Sequence, residues 1–105
     1  MSEPKTAHLS RLWDEFRGMP FPRDFHLREP EGICMVSLDT YLAGCISVAL
    51  DGPLDDWRRE VLLRLTASLG KVLPSLGDDA YGLEYFTHLH EMALLAAELD
   101  AARGE

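Results

Sequence analysis

Residues 53–73, PLDDWRREVLLRLTASLGKVL, decide how this chain folds. At 100° per residue, Leu54, Trp57, Val61, Leu62, Leu65, Leu69, Val72 and Leu73 fall on one broad face, and Leu76 continues it. Arg59, Glu60, Arg64, Ala67 and Lys71 lie largely opposite. This period predicts an amphipathic helix, not a strand. Asp51-Gly52-Pro53 reads as its start: an acid able to cap, then a proline whose fixed φ suits a first turn. Asp55 and Asp56 then sit where the helix dipole favours anions. Glu60 and Arg64, four apart, are expected to pair. Leu63 is a lone apolar residue on the polar face. Pro74 ends or bends the helix.

The same test works outward in both directions. Residues 37–50 predict a second helix, with Ser37 as its cap and Asp39 near the positive end of its dipole. Leu38, Tyr41, Leu42, Cys45, Ile46 and Ala49 form its apolar face. Thr40, Gly44 and Ser47, all small, lie opposite, so this helix is expected to be central and closely approached on more than one side. Residues 79–103 predict a longer helix capped by Asp78 or Asp79, with Tyr81, Tyr85, Phe86, Leu89, Met92, Ala96 and Leu99 inward. Gly82 is unfavourable there by about 1 kcal/mol relative to alanine. Residues 6–17 carry one apolar stripe, Leu9, Leu12, Trp13 and Phe16, and predict a short helix that needs a neighbour.

Between the first two helices, residues 18–32 hold three prolines and two glycines. They are expected to form an extended connector. Met19, Phe21, Phe25 and Leu27 are too many large apolar groups for a solvated linker, so they either pack onto the bundle or dock a partner. The expected architecture is therefore all-α: a bundle of three main amphipathic helices, a short N-terminal helix and this connector. One domain spans residues 1–105, with residues 1–5 as a tail.

Of 105 residues, 47% are apolar and 27% charged, a globular composition. The net charge of −8 argues against binding nucleic acid or anionic membranes, which require basic patches. Residues 33–50 approach spanning length, but Asp39 and the lack of basic or aromatic flanks favour a buried helix. Two cysteines without a CxxC pair, and no signal peptide in MSEPKTAHLS, make a reducing cytoplasm the expected location. Eight arginines against two lysines, with abundant alanine and leucine, suggest a GC-rich bacterial genome.

Few residues offer chemistry. FTHLHEM, residues 86–92, resembles a ligand pair, but on a helix His88 and His90 point about 200° apart. His90-Glu91 lacks the second histidine of HExxH. Glu84, His88 and Glu91 do fall within about 60° of one another. They are the candidate metal face, although di-iron bundles need Glu-x-x-His on paired helices. Cys45, mid-helix among apolar residues, is expected to be buried and inert; Cys34 is less constrained. No GxSxG elbow and no phosphate loop occurs. No cofactor is implied.

These features favour a small acidic protein that acts without catalysis, through a protein partner or through self-association. The candidate surfaces are Phe21, Arg23 and Phe25 in the connector, the acidic outer face of the last helix, and, for self-association, Leu63, which with Ala67 could seed a symmetric contact. A metal protein using Glu84, His88 and Glu91 is the alternative. A weaker one is an immunity-type inhibitor of a basic toxin, motivated by charge and size alone.

Overall fold

The computed structural model describes residues 4–103. Four helices form: α1 (Lys5–Arg17), α2 (Met35–Asp51), α3 (Asp56–Val72) and α4 (Ala80–Arg103). Among the described residues there is no strand. The expected all-α bundle is thus the observed one. Of the tail expected at residues 1–5, residues 1–3 lie outside the described residues, and Lys5 already opens α1.

The helix at the centre is α4, not α2. α1, α2 and α3 each pack along α4, and α2 and α3 also pack against each other. Burial explains the difference. Phe86, Leu89, Met92, Ala93 and Ala96 of α4 are fully buried, so α4 has apolar surface for three neighbours. Thr40, Gly44 and Ser47 of α2 are exposed, and a Cβ added at Gly44 would have no atom within 4 Å among the described residues.

Two helix starts differ from expectation. α2 begins at Met35 with Cys34 in the cap position, two residues before Ser37. Asp39 therefore sits one turn further in, half-buried, and accepts a hydrogen bond from the Tyr85 hydroxyl at 2.7 Å. α3 begins at Asp56, and its cap is Asp55, whose carboxylate accepts from the Arg58 backbone N–H at 2.7 Å. Asp51 instead closes α2, and Gly52–Leu54 is the link. Asp79 caps α4, accepting from Gly82 N–H at 2.8 Å.

Residues 18–32 are not an extended connector. Two 3-10 turns, Arg23–His26 and Pro30–Gly32, fold them onto the bundle. Phe25 is 1% exposed. Its ring meets Phe86 edge-on at 5.2 Å, and the Arg28 guanidinium covers it at 4.7 Å from the ring centre. Phe21, half-buried, meets Tyr85 and Phe86 edge-on at 5.7 and 5.9 Å. Edge-to-face packing of this kind adds to the gain from burial. The Tyr81 hydroxyl donates to the Pro20 carbonyl at 2.6 Å, pinning the segment's start. Its end turns into α2 through Gly32, whose φ of +79° suits glycine.

Burial pushes the Asp39 carboxyl above its ordinary value, against the opposing hydrogen bond from Tyr85. An acid whose folded pKa is raised holds its proton more tightly folded than unfolded. The resulting stability is present below the unfolded value, about 3.9, and is lost as pH rises through the folded one. Asp39→Asn keeps an oxygen for Tyr85 and removes the charge. Its advantage over wild type in urea midpoint is expected to be smallest below about pH 4 and to grow as pH rises through the raised value. An Asn variant less stable than wild type at pH 7 would show that the charge is well solvated.

Candidate functional site

α2 and α3 lie side by side, and the surface between them is a groove with two hollows. The larger, a cavity of about 440 Å³, lies between Ile33, Cys34, Ser37 and Leu38 on one side and Arg64, Leu65 and Ser68 on the other. The smaller, about 280 Å³, lies between Thr40, Gly44 and Val48 on one side and Arg58 on the other. Tyr41, Trp57 and Val61 line both, so the hollows meet at an aromatic waist.

Local structure accounts for the open groove. On α3, the apolar arc from Trp57 to Leu62 covers about 140° of the wheel. The flanking helices cover Val61, Leu62, Leu69 and Val72, but leave Trp57 61% exposed. On α2, Tyr41 stands 54% exposed at the edge of the small-residue face. The apolar period places both aromatics inside, and the fold leaves both out. The floor is core: Leu38 and Val61 are buried.

The electrostatics are one-sided. In a chain of net charge −8, the charged residues lining the two hollows are Arg58 and Arg64. Arg58 is ion-paired with Asp55. Arg64 is exposed, and the expected pair with Glu60 does not form; Arg64 has no ion-pair or hydrogen-bond partner among the described residues. Cys34 is exposed at the groove's end. Hydrogen bonds from Ser37 hold its thiol below the ordinary range. No histidine, aspartate or glutamate lines either hollow to serve as its base. Cys45 is buried, as expected, and burial pushes its thiol up.

The partner and metal residues singled out in the sequence lie at three separate places, and none of them lines the groove. Phe25 is in the core and offers no surface, and Phe21 is packed against α4. Arg23 is exposed beside them. Leu63, 55% exposed, sits on the outward face of α3 between Asp56, Glu60 and Arg64, outside the groove. Glu84, His88 and Glu91 line one shallow hollow, but no group of three or more His, Cys, Asp or Glu is arranged to hold a metal ion among the described residues. His88 faces α1 instead, with Nε2 2.8 Å from the Leu12 carbonyl and its ring stacked on Phe16 at 6.0 Å. Nε2 must carry the proton there, because a carbonyl only accepts. His90 faces the other way, close to Gly70 of α3. The two histidines therefore diverge as helical geometry requires.

Sequence reading missed a second feature, a polar clasp at the far end of α4. Asp100, 2% exposed, accepts from Leu54 N–H at 2.8 Å and from Arg59 Nε at 2.5 Å. Arg59 also donates to the Leu54 carbonyl at 2.7 Å. Arg103 donates to the carbonyls of Ala49 and Gly52. The hydrogen bond from Arg59 holds the Asp100 carboxyl below its ordinary value, against its burial. Because every strong group here is already partnered, the clasp fixes the α2–α3 link and with it the mutual position of the groove walls.

Comparison with protein-family models, curated proteins and solved structures finds no match to this chain. No helix among the described residues is long and apolar enough to cross a membrane.

Proposed function

We propose that this protein is a cytoplasmic, non-enzymatic interaction module that takes part of a protein partner into the α2–α3 groove. The observation that carries this reading is the pair Tyr41 and Trp57, 54% and 61% exposed over a floor of core residues. Tyrosine, tryptophan and arginine are the residue types that dominate binding energy at protein interfaces. Here all three stand around one concavity: Tyr41, Trp57 and Arg64. The groove also lacks an acid–base partner for the one thiol at its edge, which favours binding over catalysis.

The test is capture of a partner from host extract by the tagged protein, repeated with Tyr41→Ala and Trp57→Ala together. Both side chains are mostly solvated, so the variant is expected to melt close to wild type. Loss of the partner with unchanged melting supports the reading. A partner retained at full strength by the double variant would place the interaction elsewhere.

A further inference from the structure

We infer that the occupant of the groove is an amphipathic α-helix of a separate protein partner, with two large apolar residues seven apart and a carboxylate facing Arg64. This rests on the reading of the groove as a docking site and specifies what docks there.

The spacing comes from the groove wall. On the α2 side the larger hollow takes Ile33, Cys34, Ser37, Leu38 and Tyr41, and the smaller takes Thr40, Tyr41, Gly44, Cys45 and Val48. Each member of the second set lies seven residues beyond a member of the first. On α3, Trp57 and Val61 are shared by both hollows, while Arg58 lines the smaller alone and Arg64, Leu65 and Ser68 the larger alone. Along α2 the two hollows are thus offset by one heptad. Seven helical residues advance about 10 Å, so a helix lying along the groove presents side chains at i and i+7 to the two holes.

Three further observations favour a helix. The wall between α2 and α3 is long: Cys34 to Val48 spans about 21 Å at the helical rise, enough for four turns of a partner. The surface is also built for close approach, since Gly44 has open space where its Cβ would stand. Nothing inside this chain explains a glycine in the middle of α2, where it is unfavourable for helix formation. Finally, an extended peptide gains affinity by pairing with a sheet edge, and the groove walls are helices whose backbone groups bond internally.

Charge selects a separate partner over a second copy. Arg58 is already paired with Asp55, and a two-fold contact through the groove would offer neither copy's Arg64 a lining carboxylate. Arg64, without a partner of its own, is left to receive an acidic side chain.

The experiment is selection from a fully random library of 16-residue displayed peptides, with counter-selection against Gly44→Leu. A Cβ there has open space and the rest of the side chain enters the smaller hollow, so the variant is expected to melt at or above wild type. Enriched peptides are expected to share large apolar residues seven apart and an aspartate or glutamate, and to gain helical circular dichroism on binding. Trp57→Ala is expected to weaken the best peptide roughly 30-fold, and Arg64→Glu about tenfold. Groove-dependent peptides with apolar residues at every second position, with a single anchor, or rich in lysine would overturn the helix while leaving the groove as a docking site. Peptides indifferent to both Gly44→Leu and Trp57→Ala, or no binder at all, would overturn both readings. A wild-type dimer in sedimentation that Gly44→Leu converts to monomer would replace the separate partner with a second copy.

Discussion

Asp100→Ala is expected to lower the stability of this protein by about 3 kcal/mol at pH 7, because it leaves the buried Leu54 N–H and the inward face of Arg59 without an acceptor. For a domain of this size that corresponds to a fall in melting temperature on the order of 15 °C. The carboxylate takes hydrogen bonds from both Leu54 and Arg59, at 2.8 and 2.5 Å, so alanine removes two contacts and fills neither space. Asp100→Asn retains an oxygen for Leu54 and loses the charge facing Arg59, so it is expected to fall between wild type and alanine. The pH dependence has a definite sign. The Asp100 carboxyl is held below its ordinary value in the fold. Its contribution is therefore present above the unfolded value, about 3.9, and is lost as pH falls through the folded one. Wild type and Asp100→Ala should converge as pH drops below about 4, a trend opposite to that of Asp39. Thermal melts across pH 2–7 measure both. An alanine variant within about 0.5 kcal/mol of wild type at pH 7 would mean that water already serves the Leu54 amide.

The clasp also shows where sequence reading fails. An aspartate in the last turn of a helix opposes the helix dipole, and that local conflict was the one available sign that Asp100 has a tertiary partner. Nothing local identifies the partner, since Leu54 and Arg59 are more than forty residues away. The helices themselves were legible because only an amphipathic helix places apolar residues at a 3.6-residue period over so long a run. Their starts were less so. Asp51-Gly52-Pro53 has the chemistry of a helix start, but the α2–α3 link uses the same chemistry, and Asp55 with its bond to Arg58 takes the cap. The groove was hidden for a related reason. Periodicity reports which residues are apolar, not which face finds a neighbour, so Trp57 and Tyr41 read as core. The small face of α2 was expected to be closely approached, and among the described residues it is left open.

The connector makes the other large prediction, and it has a change of sign in it. Phe25→Ala should cost about 3–4 kcal/mol, because it empties a site that is 1% exposed and loses the edge contact with Phe86. Gly82→Ala should also destabilise, by about 1–3 kcal/mol. A Cβ at Gly82 would overlap Phe25 Cε2 and stand 3.1 Å from Asp79 Cγ, so the ring must leave its seat. Without that ring, the close contact left is Asp79 Cγ at 3.1 Å, set against ordinary helix energetics in which alanine is better than glycine by about 1 kcal/mol. Gly82→Ala made in the Phe25→Ala background is therefore expected to be neutral or stabilising, although it is destabilising alone. A double-mutant cycle from urea midpoints reads this coupling directly. If Phe25 instead faced solvent as a partner anchor, Phe25→Ala would cost little, and Gly82→Ala would stabilise in both backgrounds. The cycle thus separates a connector folded into the core from one held out for a partner.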